Sequence, residues 1–249
     1  MKNLKRWAVV LVVLAVLGGV LELSLRAVIP SAIEGGARLA LRVPQAQAVT
    51  VDTEGSMLLN ALRWRVSDVT VTADGVPLAE DVTARATLEV GSMPLFPAFG
   101  KLRDGTASFA VPPEQLDGMV RIVSRGLADW GEMRDGELVG GGVLTDQQFD
   151  LPYSPAFEIP YEGAVGLGVE AGEIVVTPSD VIVQDQGPVG AFLAGAMSEP
   201  RSICFADRLP AGVTLTGIEV RPSGEVIMQA ALSERLLSSP KERFRGTCQ

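Results

Sequence analysis

The sequence predicts an α+β fold, helices packed on one face of a long antiparallel sheet, carried behind an N-terminal membrane-anchor helix. Three observations predict it. An unbroken apolar run over residues 7–21 follows the basic residues Lys2, Lys5 and Arg6. Strict alternation of apolar and polar residues recurs in the body, most cleanly over residues 82–90. Two segments of helical periodicity interrupt the strands, and that order favours helices laid on an antiparallel sheet.

The N-terminal run covers 15 residues, the length of a long signal-peptide core and short of the roughly 20 needed to span a bilayer. Glu22 and Arg26 then stand at i,i+4 spacing, where they can pair. With Leu23, Leu25, Val28 and Ile29 the helix reaches across a bilayer and leaves that pair near its outer interface. Two fates are open, an uncleaved signal-anchor and a cleaved signal peptide. No good small-x-small cleavage site follows the run closely, and Ala46-Gln47-Ala48, which has the right letters, lies too far downstream, which favours the anchor. Positive charge ahead of the span places the residues beyond it outside the cytoplasm. The expected organisation is an anchor over residues 1–29, an α+β domain over 30–233 and a basic tail over 234–249.

The elements of the body can be read from periodicity. Leu25, Val28, Ile29, Ala32, Ile33, Gly36, Ala37 and Ala40 make an apolar helical stripe, with Ser24, Arg26, Ser31, Glu34 and Arg38 opposite. Pro30 should kink that helix or restart it, and Pro44 should end it. Strands are expected over residues 66–72, 82–90, 106–111, 157–169, 173–183, 212–220 and 225–232. Asp74-Gly75 reads as a hairpin turn, and so do Ala171-Gly172 and Ser223-Gly224. Pro112-Pro113 opens a second helix, whose stripe is Leu116, Met119, Val120, Val123, Leu127 and Trp130. The glycine-rich residues 136–142 read as a loop.

Composition narrows the chemistry. The chain has no histidine, which excludes Ser-His-Asp and Cys-His centres and removes the commonest metal ligand. No cofactor is expected. Residues 1–42 hold six basic and two acidic side chains, whereas residues 43–233 hold 11 and 26. A body so acidic repels polyphosphate, so nucleic acid is not an expected partner. The nearest carboxylate clusters, Glu132/Asp135/Glu137 and Glu170/Glu173, sit beside glycine turns, where carboxylates are ordinarily solvated. Cys204 and Cys248 form no CxxC pair, and in an oxidising compartment they should join in a disulfide that pins the tail.

Apolar residues make up 47% of the chain but aromatics only 5%, so its walls are aliphatic and suit acyl chains better than sugars. The expected ligand is an apolar molecule with acyl chains, held in a groove against the helix bearing Leu116, Met119, Val120, Val123 and Leu127. Two unusually apolar segments should lie near its mouth: residues 93–99 with Met93, Leu95, Phe96 and Phe99, and residues 187–197 with Phe192, Leu193 and Met197. The alternative for both is a buried lid over the core.

Three sequence stretches carry a family resemblance. Residues 55–62 read GSMLLNAL, residues 66–76 read VSDVTVTADGV, and residues 209–220 read LPAGVTLTGIEV, with Gly224-Glu225-Val226 close behind. This order resembles the LmeA family of envelope phospholipid-binding proteins and spans most of residues 20–232. The stretch 130–161 and the tail after Ser233 fall outside it. The resemblance implies an elongated, strongly twisted antiparallel sheet wrapped around a helix, a lipid-sized groove and no catalytic residues. It implies a protein held at the outer, periplasmic side of the cytoplasmic membrane. A scaffolding module for cell-envelope assembly enzymes is the second reading.

Overall fold

The computed structural model describes residues 2–79, 81–96, 100–145, 158–185, 187–207 and 209–248. Helix α1 (Lys2–Ala40) is continuous, with Pro30 inside it, so the expected restart does not occur. Ser31 Oγ lies 2.9 Å from the carbonyl of Ala27 and 3.0 Å from that of Val28, which engages acceptors beside the missing proline N–H. The buried stripe of α1 is narrower than expected. Leu25, Ile29, Ile33 and Ala37 meet the core, while Val28, Ala32, Gly36 and Ala40 are exposed.

Strand β1 (Val49–Thr53) and helix α2 (Met57–Leu62) lead into the long strands β2 (Arg65–Pro77), β3 (Thr83–Pro94) and β4 (Arg103–Val111). With β10 (Val213–Val220) and β11 (Val226–Leu232) they form a six-stranded antiparallel sheet in the order β1-β2-β3-β4-β11-β10. Asp74-Gly75 is not the hairpin. The register shifts between Ala73 and Val76, and Gly75 takes φ +68°, so the pair is a bulge inside β2. A second irregularity at Asp68 (φ 49°) lets Val66, Val69, Val71, Ala73 and Val76 all be buried. The turn itself falls after Pro77, where Leu78 N donates to the carbonyl of Val82 at 2.9 Å.

A 3-10 turn (Pro113–Gln115) opens α3 (Leu116–Val123), which ends four residues before Leu127. Trp130 starts a strand instead of closing the helix. Strands β5 (Trp130–Arg134), β6 (Glu137–Thr145), β7 (Glu158–Glu170), β8 (Glu173–Val183) and β9 (Arg201–Ile203) form a second, five-stranded antiparallel sheet in sequence order. The stretch read as a glycine loop is therefore mostly β6. Its glycines permit close approach. A Cβ on Gly141 would lie 2.5 Å from both Trp130 Cζ2 and the Tyr161 carbonyl oxygen, and one on Gly142 3.2 Å from the Leu127 carbonyl oxygen. Residues 187–197, apolar and expected as a mouth or lid, include helix α4 (Pro188–Met197). The α+β class holds, with the antiparallel sheet divided in two.

One core runs through both sheets. Ile29 of α1, Val71 and Ala86 of the first sheet, Met119 of α3 and Ile174 of β8 belong to it. A smaller core of Leu144, Ile159, Tyr161 and Leu193 lies under α4. The tail is fastened as expected. Cys204 and Cys248 are disulfide-bonded with Cα atoms 5.7 Å apart. Short helix α5 (Pro240–Arg243) precedes a bridge between Pro210 and Arg245, and Ala211 N donates to the Phe244 carbonyl at 2.8 Å.

Candidate functional site

Helix α3 leaves the first sheet at Val111, beside the β2–β3 turn. Gln115 Oε1 accepts from Thr83 N at 2.6 Å, and Arg121 pairs with Asp81 at 2.6 Å, fixing the helix there. The chain then turns back through residues 124–129 onto the second sheet. An apolar cavity of about 450 Å³ opens between the two, a volume in the ordinary range for small-molecule sites. Its walls are Val120, Val123, Leu127 and Ala128 from α3 and the turn, Val165 from β7, Val176, Pro178 and Val181 from β8, Ile203 from β9, and Met197 from α4.

The structure brings together part of the expected set. Val120, Val123, Leu127 and Met197 line the cavity. Leu116 and Met119 face the main core. Leu193 is buried in the smaller core, whereas Phe192 is 74% exposed on the outer side of α4. Met93, Leu95 and Phe96 lie elsewhere. Met93 and Pro94 pair with Val66 and Arg65, which carries the end of β3 to the edge of the sheet remote from α3. Leu95 N donates to the Trp64 carbonyl at 3.1 Å, and the Phe96 ring centroid is 5.5 Å from that of Trp64. The mouth expected around residues 93–96 is therefore at the wrong end of the sheet. Phe99 lies outside the described residues.

Several wall residues were missed. Tyr161, Gly163, Ala164 and Val165 of β7 all line the cavity, and the register shift between Glu162 and Ala164 breaks the alternation that would have marked one face of the strand. Arg125 and Arg201 carried no signal, because nothing in sequence joins the α3 exit to β9.

The polar groups of the cavity are few. Tyr161 Oη donates to the Leu127 carbonyl at 2.7 Å. Burial, and secondarily the Asp129 carboxylate, push its pKa up to about 12, so the phenol stays neutral. Arg125 and Arg201 reach the lining, and among the described residues neither forms an ion pair. Arg201 Nη2 donates to the Ala196 carbonyl at 3.0 Å. The site thus offers an aliphatic pocket with cationic groups at its lining and no carboxylate among its wall residues.

Of the carboxylates noted in the sequence, Glu132 has a cation as its partner. Glu132 and Glu162 both hold Arg134, at 2.6 and 3.3 Å, and they raise its pKa. Glu170 and Glu173 face each other across the β7–β8 turn. Among the described residues, no cluster of three His, Cys, Asp or Glu side chains could hold a metal ion. No protein-family model, curated protein or solved structure matches the chain.

Proposed function

We propose that this protein binds a phospholipid or related envelope lipid, without catalysing a reaction on it, from a position tethered by α1 to the outer side of the cytoplasmic membrane. The observation that carries this reading is the aliphatic cavity between α3 and the second sheet, whose walls include Val120, Val123, Val165 and Val176. Branched aliphatic walls reward acyl methylenes, each contributing about 0.8 kcal/mol when buried. The cavity's polar atoms are too few to satisfy a sugar, whose hydroxyls would lose hydrogen bonds to water. Arg125 and Arg201, free of carboxylates among the described residues, suit the phosphate end of such a lipid. The N-terminal helix is long and apolar enough to cross a membrane, and the disulfide fits an oxidising compartment. The likeness of residues 55–76 and 209–226 to the LmeA family points the same way.

The test is photocrosslinking. Full-length protein in membranes is given dispersed phospholipid, added from the aqueous side, that bears a diazirine near its acyl end. Crosslinks should map to residues 120–128, 161–165 or 176–181. Val181→Trp, which fills the cavity from β8, should abolish those crosslinks while leaving any formed by α1. Uptake should rise steeply with chain length and change little with salt, because tails supply most of the affinity. Crosslinks confined to α1, or unaltered by Val181→Trp, would remove the cavity from consideration.

A further inference from the structure

At the opposite end of the first sheet from the cavity, four large apolar side chains stand clear of the core. Leu59 and Leu62 of α2, Trp64, and Phe96 after β3 are each more than half exposed. Leu59 and Leu62 stand one turn apart on α2, Trp64 follows its C-cap Arg63, and the Trp64 ring centroid lies 5.5 Å from that of Phe96; we group the four as one patch. The patch is held firmly. Trp64 sits at φ 55°, an unusual conformation for a bulky residue, with its N–H bound to the Ala61 carbonyl at 3.1 Å and its own carbonyl to Leu95 N. A soluble surface rarely gathers a tryptophan, a phenylalanine and two leucines without a partner.

The attachment of the patch to α1 indicates its cover. Glu22 is the first charged residue after the apolar run, and its carboxylate holds the start of α2. It accepts from Met57 N at 2.9 Å, Leu58 N at 2.7 Å and Ser56 Oγ at 2.9 Å, and pairs with Arg26 at 3.0 Å. The apolar residues 7–21 ahead of it form about 22 Å of helix, most of the thickness of a hydrocarbon core, so Glu22 comes near its outer end. If α1 enters a bilayer, Glu22 marks the surface, and α2 is pinned to that level. Tryptophan is enriched at bilayer interfaces, where arginine side chains also anchor. Arg63, exposed and without an ion pair among the described residues, adjoins Trp64.

We infer that Leu59, Leu62, Trp64 and Phe96 form a second membrane contact, seated in the headgroup region of the same bilayer that α1 enters. The contact fixes the tilt of the domain, which a single helix could not do. It rests on the anchor reading of α1 but not on the lipid cavity, which lies at the far end of the sheet.

Single-tryptophan chains separate these claims. The full-length protein is placed in phosphatidylcholine nanodiscs containing phosphatidylglycerol, with and without phospholipid brominated near the headgroup end of its chains. With Trp7→Phe and Trp130→Phe, Trp64 alone emits. Its emission should be blue-shifted and quenched by the brominated lipid, and Leu62→Glu should relieve the quenching. With Trp64→Phe and Trp130→Phe, Trp7 reports the anchor and should be quenched whatever the patch does. A Trp64 that is open to acrylamide and untouched by bromolipid, beside a quenched Trp7, overturns the patch and leaves the anchor standing. Loss of quenching at both residues overturns the patch and the anchor together. Quenching of Trp64 that survives Leu62→Glu also overturns the four-residue contact.

Discussion

A Cβ built on Gly141 would collide with the Trp130 indole on one side and the Tyr161 carbonyl oxygen on the other. The indole edge can shift, but the backbone oxygen belongs to the β6–β7 ladder, where Gly142 pairs with Tyr161. Gly141→Ala should therefore destabilise the protein by about 1–3 kcal/mol in denaturant unfolding. Gly168→Ala, with nothing within 4 Å of its would-be Cβ, should leave stability nearly unchanged and serves as the control. Tyr161 allows a prediction about pH. Its pKa rises from an ordinary 10.0 to about 12 in the folded protein, so folding favours the neutral phenol. That stability is complete below pH 10 and is lost as pH climbs through 12. Tyr161→Phe should remove this alkaline loss from a stability-versus-pH curve, at a cost near 1 kcal/mol at neutral pH from the missing bond to Leu127.

Among the elements, those built on simple alternation were legible. Strand β8 matches its expected bounds, and β3, β7, β10 and β11 differ from theirs mainly at their ends; in β11 the buried face falls on every second residue. What failed depended on contacts remote in sequence. Gly140, Gly141 and Gly142 read as a loop because their reason is Trp130 and the α3 exit lying on them. Asp74-Gly75 read as a turn because bulges and turns use the same residues. Of the cavity, the α3 side was legible from its helical stripe, and the sheet side was hidden by the bulge and glycines of β7 and by Pro178 of β8. The junction of α1 and α2 was half legible. The Glu22–Arg26 pair could be read from spacing, but the capping of α2 by Glu22 could not. Glu22→Ala should speed hydrogen exchange at the Met57 and Leu58 amides. Exchange at the β10–β11 amides, at the opposite edge of the sheet, should not change.

At the scale of the molecule, the disulfide closes a loop of 44 residues in sequence separation. In the chain-entropy account such a closure stabilises by about 4 kcal/mol. Because the tail is also paired through Pro210 and Arg245, replacing both cysteines by serine should lower the unfolding free energy by about 2–4 kcal/mol without releasing the tail. Equilibrium unfolding of the double variant, with reduced wild type beside it, measures the difference. Resistance of residues 234–248 to proteolysis in that variant shows whether the backbone pairing is enough to keep the tail in place.

Helix α1 runs from Lys2 to Ala40 without a joint, and its second half is part of the main core. In the proposed setting it is a mast and not a leash. From Glu22 to Ala40 the helix rises about 27 Å, and β2 runs about 40 Å from its α2 end to its α3 end. A domain so mounted cannot stoop to its own bilayer to load the cavity, nor swing it across the compartment. Its working height is set by the rod, so cargo has to be delivered at that level. Lengthening α1 by whole turns would raise the cavity in steps of about 5 Å. Whatever protein or surface hands lipid to it, or takes lipid from it, must be built to meet that height.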